Sequence, residues 1–149
     1  MPNLVKKQFA TNANRYATSA VHAHGDSLAR LVALTEPQPA WRVLDVATGA
    51  GHTALAFAPH VASVTAVDLT PQMLAVAGKL AGERDIGNVQ WATAVAEALP
   101  FENGRFHLVT CRIAPHHFDS IPQFLTEAAR VLRPGGRLAL VDNIVPGSR

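Results

Sequence analysis

Apolar residues along this chain follow two alternating rhythms. Short runs rich in Val, Leu or Thr occur at Arg42–Val46, Ser63–Asp68, Val89–Ala94, His107–Cys111 and Arg137–Asp142. Runs of that length and composition predict strands buried on both faces. Between them the spacing turns helical. One helix is expected to start near His52 and stop before Pro59. A second follows Thr70-Pro71, with Thr70 placed as its cap and Pro71 as its first residue. Met73, Leu74, Ala77 and Leu80 form its apolar stripe. A third runs from about Pro122 to Leu132 and is ended by "RPGG", whose proline and glycines break a helix. The region before the first strand reads as mainly helical, with Leu28, Leu31, Val32 and Leu34 able to pack onto a sheet before "TEPQP" stops it.

Strand and helix alternating in this order predict an α/β domain built on a doubly wound, mostly parallel sheet of five strands. The 149 residues are enough for one hydrophobic core, so a single domain over 1–149 is expected, helical over 1–40 and α/β over 41–149. With 48% hydrophobic and 16% charged residues the chain reads as globular and not as disordered. No apolar run approaches the roughly 20 residues that span a bilayer. The first residues hold no uninterrupted apolar core of the secretory kind, so a cytoplasmic address is expected.

Charge and cysteine content remove several classes. The net charge is only +2, and no basic run exceeds Lys6-Lys7, so a nucleic-acid partner is not expected. Cys111 is the single cysteine, which excludes an intramolecular disulfide and a cysteine-based zinc cluster. His22, His24, His52, His60 and His107 lack metal-ligand spacing, and no metal is expected.

The candidate chemistry centres on "LDVATGAGHTA", residues 44–54. It contains Gly49-x-Gly51-x-x-Ala54 at a strand-to-helix junction, where free backbone N–H groups can approach a nucleotide. Asp68 ends the second strand about 20 residues on, where an acid can bind a ribose. Both features suit a dinucleotide as well as S-adenosylmethionine. Asp45 favours the second ligand. A carboxylate four residues before Gly49 is useful beside an ammonium or sulfonium and has no evident use beside a pyrophosphate.

"LDVATGAGHTAL", "VTAVDLTPQML", "AEALPF", "VTCRIAPHHF" and "EAARVLRPGGRLALVD", in this order, resemble the class I S-adenosylmethionine-dependent methyltransferases. The likeness is to their ubiquinone- and menaquinone-biosynthesis branch and covers nearly the whole chain. It implies a Rossmann-like core with an N-terminal helical lid formed by "NANRYATSAVHAHGDSLARLV", in which Arg15 and Tyr16 either line the lid or are surface residues of a terminal helix. It implies S-adenosyl-L-methionine as cofactor and a small organic molecule as methyl acceptor. Ala47, Gly49 and Gly51 would then carry the backbone past the methionine part, with Asp45 near its amino group. Asp68 would accept the ribose hydroxyls. Leu69 and Met73 would bracket the adenine, Ala96 and Glu97 would pass its edge, and Cys111 and Arg112 would lie by the methionine tail. His116 and His117, after the fourth strand, are the candidate bases, needed only if the acceptor must lose a proton. Without that role they would only hydrogen-bond backbone, and Cys111 would be a small buried hydrophobe.

The chain also departs from the family. Val95 stands where an Asp usually meets the adenine amino group, and losing such a hydrogen bond costs on the order of 1.5–3 kcal/mol. His107 replaces the Asp usual in "FDLV". Family members continue through two further strands, whereas this chain ends after its fifth. An open fifth-strand edge carrying Leu138, Leu140 and Val141 is expected to pair with a second copy. The rival to an enzyme is a diverged domain that binds the cofactor weakly or serves in assembly.

Overall fold

A computed structural model describes residues 26–112 and 118–142. A helix over 26–35 (α1) opens the described chain. Strand β1 (Arg42–Val46), helix α2 (His52–Phe57), β2 (Ser63–Asp68), α3 (Pro71–Glu83) and β3 (Val89–Thr93) follow. The order closes with β4 (Phe106–Arg112), α4 (Ile121–Val131) and β5 (Leu132–Val141). The strands form one sheet in the order β3-β2-β1-β4-β5, and every pairing is parallel. All strand carboxyl ends therefore lie along one edge. The chain reverses its direction of travel across the sheet between β1 and β4, the point where ligands bind in open α/β sheets.

Alternation along the strands divides the core between two faces. Leu44, Val46, Val67, Phe106 and Val109 pack with Phe124, Ala128 and Val131 of α4. Val43, Val64, Ala66 and Leu108 pack with Leu31 of α1 and with Ala54 and Phe57 of α2. Trp91 of β3 joins this second cluster and also lies against Gly78 of α3.

Several elements differ from the sequence expectation for identifiable reasons. In α1 the buried positions are Leu31 and Thr35, one turn apart, and Leu34 is 78% exposed beyond the rim of that face. The Thr35 hydroxyl donates back to the Leu31 carbonyl at 2.8 Å, and Glu36 at φ 47° ends the helix. In α3, Pro71 opens the helix as expected, but Thr70 makes no side-chain cap. The buried stripe of α3 is Met73, Ala77 and Ala81. The α2 helix continues as a 3-10 turn over Ala58–His60, which accommodates Pro59 near its start.

The largest difference is in β5, which begins at Leu132, not Arg137. Leu132 pairs with Phe106, and pairing resumes at Arg137 opposite Leu108 after a register shift. The residues "RPGG" thus do end the helix, but they do so as a bulge inside the strand. Gly135 sits at φ 80°. A Cβ on Gly136 would meet the Arg133 carbonyl oxygen at 2.9 Å, so only glycine closes the bulge.

Candidate functional site

The glycine loop is held from both sides by carboxylates at strand ends. Asp45, 1% exposed, accepts from the Thr48 hydroxyl at 2.6 Å and from the Thr110 hydroxyl at 2.8 Å. Burial pushes its carboxyl up to about 6, although both hydroxyls and the Arg112 charge pull it down. Asp68 accepts the Gly49 N–H at 2.8 Å on one oxygen and the Thr70 N–H at 2.9 Å on the other. Burial raises its carboxyl above the ordinary range, and these two N–H groups oppose the rise. A carboxylate has about four lone-pair positions, and the Leu69 N–H and the buried Thr70 hydroxyl also lie close enough to lower the Asp68 carboxyl.

The loop backbone is contorted. Ala47, Gly49 and Gly51 have φ of 57°, 56° and 87°. Glycine adopts this region freely, whereas alanine there costs roughly 1–2 kcal/mol. Gly51 is also required by packing, since a Cβ would come within 2.8 Å of Ala77 Cβ and 2.9 Å of the Trp91 ring. On Gly49 a Cβ would stand 3.3 Å from the Met73 methyl.

A cleft of about 340 Å³ opens at the carboxyl ends of β2 and β3, lined by Leu69, Val95, Ala96, Glu97, Phe118, Asp119 and Ser120. Its walls are tied together by hydrogen bonds. The Ser120 N–H donates to Glu97 Oε2 at 3.1 Å, and Ser120 Oγ caps α4 by accepting the Gln123 N–H at 3.2 Å. Behind this wall, α4 holds the segment after β3. Glu127 accepts the Leu99 N–H at 2.8 Å, and Arg130 donates to the Phe101 and Leu99 carbonyls at 2.7 and 2.8 Å. The Arg130 side chain bonded to Glu127 holds that carboxyl below its usual range.

Three of the sequence-predicted residues, Leu69, Ala96 and Glu97, line this cleft. Asp68 immediately precedes Leu69. Other predicted residues are placed elsewhere. Met73 is 1% exposed and packs with Ala50 rather than facing the cleft. The Cys111 side chain is buried in the core, where burial and nearby carboxylates raise its thiol and keep it protonated. Arg112 donates to the Thr53 hydroxyl and to the Ser27 hydroxyl, both at 3.0 Å, and so ties α1 to α2. Burial lowers its guanidinium, and Asp45 opposes that. His116 and His117 lie outside the described residues, as do Arg15 and Tyr16.

Sequence reasoning missed Phe118, Asp119 and Ser120. The Ser-x-x-Gln spacing of Ser120 and Gln123 was an available signal for a helix start. In the structure Glu97, not Gln123, takes the Ser120 N–H. Among the described residues, no group of His, Cys, Asp and Glu could hold a metal ion, and no helix is long and apolar enough to cross a membrane.

This strand order, with a glycine loop after β1 and an acid ending β2, is the fold of the class I S-adenosylmethionine-dependent methyltransferases. A family model described as a methyltransferase domain matches residues 43–136, and the chain belongs to that family. It is similar to the uncharacterized methyltransferase YcgJ of Bacillus subtilis (strain 168), 42% identical over 93% of this chain and 54% of that protein. The crystal structure of YcgJ superposes with a TM-score of 0.80 over 84% of this chain and 53% of its own. The BH2331 protein of Bacillus halodurans gives 46% identity and a TM-score of 0.78, covering 83% of this chain and 53% of that one. The ubiquinone/menaquinone biosynthesis C-methyltransferase UbiE of Zymomonas mobilis is 38% identical over 74% of this chain and 46% of its own. The chain spans about half the length of these relatives.

Proposed function

We propose that this chain binds S-adenosyl-L-methionine and transfers its methyl group to a small organic acceptor by in-line displacement. The observation that carries the reading is Asp68. Its carboxylate is buried at the carboxyl end of β2, with one backbone N–H on each oxygen. Its two oxygens suit two adjacent hydroxyls, as on a ribose. Leu69 leads from it into a cleft whose Val95, Ala96 and Phe118 offer apolar surface to a purine. The Thr70 hydroxyl adds a polar group next to Asp68.

When bound, the cofactor supplies a methyl group already activated on a sulfonium. The chain's own residues then have little acid–base work. Asp68 would orient the ribose, Leu69, Ala96 and Glu97 would border the adenine, and Asp45 would place negative charge near the methionine ammonium. Gly49 and Gly51 hold the loop close, and the apolar walls exclude water while acceptor and methyl are aligned. His116 or His117, following β4 in sequence, would take a proton where the acceptor must lose one. The reading keeps the chain in the cytoplasm.

Calorimetric titration with S-adenosylmethionine, S-adenosylhomocysteine and NADH tests the assignment. Binding of the first two, lost in Asp68→Ala, is expected. Binding of NADH alone would overturn it.

Val95 favours a second reading, a domain that binds weakly and acts in assembly. It is 41% exposed and lines the cleft with a side chain that accepts no hydrogen bond. Leu140, 42% exposed on edge strand β5, supports pairing with a second copy. A monomer by light scattering at high concentration would remove that pairing.

A further inference from the structure

The amino-terminal end of the sheet, opposite the cleft, carries a cluster of basic groups with an unresolved hydrogen-bond conflict. Arg42 opens β1 and His107 lies beside it on β4, while Arg133 projects from the bulge of β5. The Arg42 backbone N–H donates to His107 Nδ1 at 2.9 Å. A neutral imidazole accepting at Nδ1 carries its proton on Nε2. Yet Nε2 faces an Arg133 guanidinium nitrogen at 3.0 Å, and a guanidinium has no acceptor. Two donors therefore converge on one point.

Among the described residues, no acceptor is bonded to either group. The Arg42 guanidinium is turned to the Arg105 carbonyl at 2.8 Å. Among the described residues, Glu102 lies 3.8 Å from Arg105, and neither Arg42 nor Arg133 has a carboxylate at ion-pair distance. The geometry is also braced. Trp41 stacks on the His107 ring at 6.2 Å and 10°. The bulge that presents Arg133 closes over Gly136, where a Cβ would meet the Arg133 and His107 carbonyl oxygens at 2.9 and 3.2 Å.

We propose that Arg133 and His107, flanked by Arg42, form a phosphate-binding site at the amino-terminal end of the sheet. The phosphate oxygens accept from the imidazole Nε2–H and the guanidinium together, turning a donor–donor repulsion into two charge-assisted hydrogen bonds. The ligand is a phosphate group, free or carried by a small metabolite, and the site is separate from the cleft at the opposite edge of the sheet.

The test is titration of the full chain, with histidine side chains labelled with nitrogen-15, by inorganic phosphate at a pH where the ring is neutral. A saturable shift of the His107 Nε2 resonance is expected, with no such shift from chloride at matched ionic strength. Arg133→Gln should weaken phosphate binding about tenfold or more, with Arg133→Lys intermediate. His107→Asp, which places a carboxylate beside Arg133, should abolish phosphate binding followed by phosphorus NMR. A response that does not saturate, or that is the same in Arg133→Gln, overturns the proposal. Phenyl phosphate competing with inorganic phosphate would identify a carried phosphate as an acceptable source. Failure to compete would restrict the ligand to the free ion.

Discussion

Asp45→Asn should make the protein more stable at neutral pH, although it removes two charge-assisted hydrogen bonds. Burial raises this carboxyl from 3.8 to about 6 even with Thr48 and Thr110 donating to it. At about 1.4 kcal/mol per pH unit, that rise is a penalty on the order of 3 kcal/mol for keeping the group ionised in the fold. The sign follows from proton binding. Between roughly pH 4 and 6 the folded chain holds a proton that the unfolded chain has lost, so stability from this group falls as pH rises through that window. Above it the penalty is fully present, and below it the penalty is absent. Asparagine is neutral throughout and can still accept from one threonine and donate to the other. Urea denaturation of parent and variant across the window is the assay. The variant should be more stable by up to about 3 kcal/mol at neutral pH, with the gap closing by about pH 4. Asp68 also has a raised carboxyl, but it is present in both proteins and its own contribution largely cancels. A variant less stable than the parent at neutral pH, or a gap indifferent to acid, would refute the reasoning. The same variant should bind S-adenosylmethionine more weakly, which would make the buried charge a stability cost kept for ligand binding.

Ala47→Gly should stabilise the chain by about 0.5–1 kcal/mol by relieving the left-handed alanine, less the small loss of its methyl packing, and thermal unfolding would measure it. Gly51→Ala should destabilise by roughly 3 kcal/mol, because the new methyl meets Ala77 and Trp91 at a φ that alanine resists; no change in the urea midpoint would refute the contact. Arg112→Gln should remove the bonds that Arg112 donates to the Thr53 and Ser27 hydroxyls. Amide exchange in α1 should then speed up while α4 is unaffected, and uniform protection would count against the tether.

The strands were the most legible part of the chain. β1 and β2 begin and end where the sequence placed them, and β3 and β4 differ by a residue at their ends. In β1, β2 and β4, residues buried on both faces leave a plain apolar signature, and the turns around them carry glycine and proline; β3 and β5, expected to be buried in the same way, are the sheet's edges and hold no fully buried residue. β5 was misread at its start because Pro134 and two glycines signal a break, whereas backbone pairing tolerates them as a bulge. In the candidate site, Leu69, Ala96 and Glu97 were singled out because they follow a strand or lie in a recognised motif, and they line the cleft. Phe118 to Ser120 come after a segment with no periodicity; the Ser120–Gln123 spacing marks a helix start there but says nothing of the cleft it borders. Met73, Cys111 and Arg112 were read by position along the chain, but their partners are tertiary. Which way each side chain turns depends on Ala50, the core and Ser27 respectively.

The contact of Gly51 with Ala77 and Trp91 has a thermodynamic consequence for whatever ligand the loop meets. Packing of α3 and β3 fixes the loop's shape as part of folding itself. Fixing a backbone residue costs roughly 1–2 kcal/mol of conformational entropy. A loop that ordered itself around its ligand would subtract that amount, residue by residue, from the affinity. Here the subtraction has been made before any encounter. The Gly49 and Gly51 amides, bonded to Asp68 and to the Thr48 carbonyl, should accordingly exchange slowly in the free protein, and ligand should change their protection little.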